Sequence, residues 1–138
     1  MLLYKKCYFL FLIGGFGYPI IELLWRGYTH PSMGVLGGIC LIAIYFINEI
    51  FKEKAIWFRA ILCSATITGL ELLTGILVNI VLKLNVWNYS DRFLNIMGQI
   101  CPLFTLLWFC LSYALIFFIE RLPFNFYTKK EALCQQLG

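Results

Sequence analysis

The stretch "AILCSATITGLELLTGILVNIVL", residues 60–82, decides the fold. It carries no Lys, Arg or His, and its single ionisable acid is Glu71. A bilayer hydrocarbon core takes about 20 apolar residues per helical crossing. The run is therefore a transmembrane helix with one carboxylate inside it. Working outward, the same length of apolar sequence recurs at 7–24, 34–51 and 96–119.

Four crossings nearly exhaust a chain of 138 residues that is 62% hydrophobic and 13% charged, with a mean hydropathy of +0.84. That composition lies far on the apolar side of a soluble domain. The fold class is all-α: a polytopic membrane protein with a four-helix transmembrane domain over 1–122 and a short cytoplasmic tail over 123–138. No stretch is left for a nucleotide-binding domain or another soluble catalytic module. The opening "MLLYKKCYFLFLIGGFG" has the Lys pair and apolar run of a signal peptide, but no small-x-small site closes it, and it is expected to stay as the first span.

Cytoplasmic loops carry the excess of Lys and Arg. Lys5 and Lys6 precede span one, Lys52, Lys54 and Arg59 lie between spans two and three, and Arg121, Lys129 and Lys130 follow span four. Only Arg26, Lys83 and Arg92 fall on the other face. The expectation is a multi-pass protein of the cell membrane with both termini cytoplasmic. The net charge of +4 is then an orientation signal, and no soluble basic patch points to nucleic acid. Cys40, Cys63, Cys101 and Cys110 lie within the expected spans, with Cys7 and Cys134 at or beyond the cytoplasmic edge. No CxxC pair or His/Cys cluster supports a disulfide framework, a metal site or another cofactor.

The halves of the chain echo each other. "IELLWRG" at 21–27 answers "LELLTG" at 70–75, and "GGIC" at 37–40 answers "GQIC" at 98–101. This predicts a parallel two-helix internal repeat, with Glu22 and Glu71 facing a shared axis. Counting about 1.5 Å per residue puts Glu71 past the midplane toward the outside and Glu22 near the outer interface. Two carboxylates in one low-dielectric space do not both ionise cheaply unless a cation sits with them. Arg26, one turn after Glu22, is the natural partner. An interfacial Glu–Arg pair that anchors a helix end explains Glu22 equally well. Glu71 is harder to dismiss, because intramembrane carboxylates are expensive and mark functional sites; the bland alternative is a Glu that locks helix packing. Gly34 with Gly38, Ala60 with Ser64, and Gly14, Gly15 and Gly17 are the small residues expected where helices touch. A homo-oligomer or a larger membrane complex would suit so compact a unit.

Between spans three and four lies "NVWNYSDRFLNIMGQICPLF", 85–104, which is far more polar than its surroundings. Trp87 and Tyr89 read as outer-belt aromatics, and Asp91 with Arg92 as a solvated pair. Asn95 and Gln99, four apart, would share one face at the top of span four and meet Glu71 or Glu22. Asn79 offers a further amide near the end of span three, and His30 lies in the other outer loop, where a lone His is most often a bystander.

Taken together, "RGYTHPSMGVLGG", "INE", "TITGLELLTGILVN", "VWNYS" and "NIMGQICPLFTLLWFCLS" resemble the bacterial ABC-transporter type IV family, small integral membrane proteins described as permease subunits. The resemblance spans about 22–113. It implies a permease-type protein whose signature positions here include Arg26, His30, Glu71, Asn79, Trp87, Tyr89, Asn95 and Gln99, and it admits an ATPase subunit as a partner. One departure stands out: the family's motif usually reads Trp-Asp-Tyr-Ser, whereas this chain has Asn88. The inner loop from Lys52 to Arg59 is short for a coupling helix.

The leading expectation is a transport-type protein that binds a polar or cationic solute in an outward-facing vestibule. Glu71, Glu22, Asn95, Gln99, Arg26, His30, Trp87, Tyr89 and Asn79 would line it, with substrate or proton exchange at Glu71. The rivals are a membrane enzyme acting on a lipid or lipid-linked substrate with Glu71 or His30 as general base, and a non-catalytic assembly protein.

Overall fold

The computed structural model describes residues 2–121 and 136–137. The tail expected from 123 onward, including Lys129, Lys130 and Cys134, lies outside the described residues apart from 136–137. Four helices are long and apolar enough to cross a membrane: α1 (Leu3–Arg26), α2 (Pro31–Ile50), α3 (Ile56–Gly75) and α4 (Pro102–Arg121). A π-helical segment, Ile76–Val81, carries the third crossing onward from α3. The described residues contain no strand.

The local signals account for the helix ends. Gly27 closes α1 at φ 79°, with its N–H on the Leu23 carbonyl, a left-handed cap that glycine adopts at little cost. Four residues later α2 begins at Pro31, where a missing N–H does no harm, and His30 caps it by accepting from the Ser32 N–H at 3.2 Å. The tight connection at 27–30 holds α1 and α2 together as neighbours.

The fourth crossing departs from expectation. Its helix starts at Pro102 instead of 96, because Leu94, Met97 and Gly98 take left-handed backbone at φ 51°, 55° and 71°, which no α-helix contains. The Ile96 N–H donates to the Ile100 carbonyl in a tight turn. Residues 83–101 thus form an irregular cap beyond the π-helical end of the third crossing, and Asn95 and Gln99 do not share a helix face.

Small residues set the helix contacts, as packing in a membrane requires. A Cβ on Gly37 would stand 2.5 Å from the Gly14 carbonyl oxygen and 2.5 Å from the Tyr18 Cβ. Gly34 similarly faces the Gly15 carbonyl at 3.0 Å. The backbones of α1 and α2 therefore meet through Gly14, Gly15, Gly34 and Gly37, while Gly38 makes room for the Phe11 ring. Between α3 and α4, the buried Ser64 donates to the Thr105 carbonyl at 2.7 Å, and the Thr68 and Thr105 hydroxyls lie 3.0 Å apart. Buried Cys63, Ile67, Ile116 and Ile44 complete the core.

Arg59, counted in the sequence as an orientation charge, is buried. It donates to Asn48 of α2, to Glu120 of α4 at 2.6 Å and to the Lys54 carbonyl at 3.1 Å. One guanidinium thus binds the end of α2, the start of α3 and the end of α4 at the same end of the bundle.

Candidate functional site

Glu71 lies in the middle of the third crossing and is 3% exposed. Its Oε1 accepts from the Tyr89 hydroxyl at 3.2 Å and its Oε2 from the Trp108 indole Nε1 at 3.0 Å. Among the described residues no Lys, Arg or His nitrogen comes within 4.0 Å of it. Two neutral donors hold this buried acid, and no cation among the described residues pairs with it directly. Tyr89 belongs to the cap and stacks on Phe104 at 4.6 Å, with the rings 9° apart. Burial, and then the neighbouring Glu71, push its hydroxyl above the usual tyrosine range, which keeps it a donor. Trp108 comes from α4, and its ring lies 5.5 Å from that of Tyr18 on α1.

Above this acid a second network is closed on itself. The Asn79 Nδ2 donates to the Gln99 Oε1 at 2.7 Å, and the Gln99 Nε2 donates to the Met97 carbonyl at 3.0 Å. The Trp87 indole donates to the Gln99 carbonyl at 3.0 Å, and the Asn79 Oδ1 receives the Val86 N–H at 2.7 Å. Asn79 sits in the π-helical segment, a local irregularity that recurs at functional sites. Gly75 is the floor of the cap: a Cβ there would stand 2.5 Å from the Gln99 Oε1 and 3.0 Å from the Trp87 ring.

The remaining expected site residues make no hydrogen bond or ion pair to Glu71. Glu22 pairs with Arg26 at 2.9 Å and accepts from the Thr29 hydroxyl at 3.0 Å, while Arg26 also donates to the Val86 carbonyl at 3.3 Å. This is the helix-end ion pair of the bland reading, with an added tie to the cap. The His30 Nδ1 is taken up in capping α2 and in a 2.8 Å contact with the Ser32 hydroxyl. Asn95 turns back on its own loop, donating to the Ser90 and Arg92 carbonyls and accepting from the Gly98 N–H.

A cavity of about 180 Å³ lies beside Glu71, and Tyr89 is not among its lining residues. Glu71, Tyr18, Trp108 and Cys40 line it together with aliphatic residues and glycines, among them Gly14, Gly17, Leu36, Ile67 and Leu111. Neither Glu22 nor Asn95 nor Gln99 lines it. The amides expected to face the acid are instead spent in the cap, Asn95 on its own loop and Gln99 on Asn79 and the Met97 carbonyl.

Trp108 is the site residue that the sequence reading missed. In an apolar span it passes for packing, but an indole N–H away from the interfacial belt needs an acceptor. An unpaired acid in the adjacent span was the available signal.

Four helices long and apolar enough to cross a membrane define a multi-pass membrane protein. The chain belongs to the family described as "Putative ABC-transporter type IV", whose model matches residues 9–137. No curated protein and no solved structure matches it.

Proposed function

We propose that the protein is a permease-type membrane subunit that takes up a polar or cationic solute at Glu71. The carrying observation is a buried carboxyl with two neutral donors, no cation among the described residues and an adjacent cavity. Such a group is costly in a bilayer unless a partner arrives to share its charge. In this reading both termini are cytoplasmic and the cap 83–101 covers the outer side, with exchange to the outside requiring Tyr89 to release Oε1. An ATPase subunit would meet the inner end, around the 51–55 connection, and a homo-oligomer or larger complex would complete the pathway.

Tetramethylammonium, a compact cation without hydrogen-bond donors, tests this. Equilibrium binding to the protein in lipid nanodiscs should be saturable, absent in Glu71→Gln and unchanged in Asp91→Asn. Equal binding by wild type and Glu71→Gln removes the basis of the proposal.

A second reading rests on the same two bonds. Tyr89 and Trp108 satisfy both oxygens, so Glu71 also pins the cap and α4 to α3, as an assembly protein would need. Under it, Glu71→Gln loosens the cap and no cation binds to either protein.

A further inference from the structure

The walls of the cavity beside Glu71 show how it is reached. Ile13, Gly14, Gly17 and Ile21 of α1 form one side, and Trp108, Leu111 and Leu115 of α4 form the other. Ile13 is 62% exposed and Ile21 49% exposed while also lining the cavity, so its mouth is at those residues. The principal helix contacts pair α1 with α2, α2 with α3 and α3 with α4. Between α1 and α4 the packing is open beside the Tyr18–Trp108 ring contact at 5.5 Å, and this cleft faces sideways. A Cβ on Gly17 would meet nothing within 4 Å, which leaves the mouth open at mid-span. The outer route, by contrast, is shut by the hydrogen-bonded cap.

A cleft at this depth faces acyl chains, not water. Its walls are apolar and its inner end carries one acid. An apolar cavity of about 150 Å³ stays dry and accepts a hydrocarbon. The volume here is of the same order.

From these features we infer that the site takes a single-chain amphiphile with an ammonium or similar cationic head, entering from the bilayer between α1 and α4. The chain lies along Ile13, Gly17, Ile21, Leu111 and Leu115, and the head reaches the Glu71 carboxylate. This deepens the cation reading of Glu71 by fixing the substrate class and the door, and it rests on that reading for the head alone. Charge complementarity selects a cation, and the aliphatic walls select a chain.

The test uses a decylammonium bearing a diazirine near the chain end, photolysed with the intact protein in lipid nanodiscs and mapped by peptide mass spectrometry. Labels are expected within 13–21 and 108–115. Gly17→Phe places a ring in the mouth, where its Cβ meets nothing within 4 Å, and it should abolish those labels. Glu71→Gln should cut them by about tenfold, the scale of one lost charge-assisted contact. If the labels fall only on outward positions such as Phe16, Leu24 and Leu103, and Gly17→Phe changes nothing, the lateral site is refuted even where tetramethylammonium still binds. If cavity labels persist undiminished in Glu71→Gln, the chain pocket stands and the cationic head is wrong. Gly17→Cys reports the remaining occupant: an interchain disulfide would show that a second copy covers the cleft, which overturns the proposal.

Discussion

Glu71 is held by donors of unequal kind. The Trp108 indole is fixed in α4, whereas the Tyr89 hydroxyl arrives on an irregular segment whose partners are local turns. Tyr89→Phe removes one hydrogen bond and keeps the stacking on Phe104. Side-chain hydrogen bonds in membrane bundles are worth about 1 kcal/mol, and the loss should appear as that shift in a denaturant titration of the nanodisc-extracted protein. Hydrogen exchange should rise in residues 86–100 and stay level in α3. Exchange that rises through α3 as well would mean that the bond holds the bundle and not only the cap. Glu71 itself was legible as the one ionisable group in an otherwise apolar run, since an acid in hydrocarbon demands a reason. Its donors were harder to see. Tyr89 had a ready explanation as a belt aromatic, and Trp108 carries no sequence mark that separates an indole facing lipid from one facing an acid.

At the scale of elements, the cap 83–101 depends on close approach at one glycine. The Gln99 Oε1 sits where a Gly75 side chain would begin, and the same oxygen receives Asn79. Gly75→Ala should displace Gln99, break the Asn79 contact and destabilise the protein by about 1–3 kcal/mol, the range for an overpacked interior. Gln99→Leu should have a similar effect by leaving the Asn79 Nδ2 without its acceptor. Asp91→Asn, at an exposed position, should leave thermal stability within about 0.5 kcal/mol of wild type. A stable Gly75→Ala protein would show that the cap moves freely off α3. The four crossings themselves were legible because hydropathy and length settle them. The start of the fourth was not: Ile96, Ile100 and Cys101 extend the apolar run, and hydropathy does not register the left-handed backbone at Met97 and Gly98. Pro102, a favoured first residue of a helix, was the better marker.

For the whole molecule, three chain segments meet at one end of the bundle through Arg59, which joins Asn48, Glu120 and the Lys54 carbonyl. The cap stands at the other end, tied to Arg26 at the close of α1. The two ends also differ in basic content, because Lys5, Lys6, Lys52, Lys54, Arg59 and Arg121 gather on the Arg59 side, against Arg26, Lys83 and Arg92 on the cap side. If insertion retains the richer side in the cytoplasm, the cap is expected to face outward. With the six native cysteines replaced, a single cysteine at Asp91 should react with a membrane-impermeant maleimide in intact cells, and one at Glu53 only after permeabilisation. Both positions are exposed and clear of the hydrogen-bond networks, which makes the contrast a readout of sidedness and not of burial. The reverse pattern would place the cap in the cytoplasm, move the Arg59 cluster outside and leave an ATPase subunit no inner surface formed by the 51–55 connection.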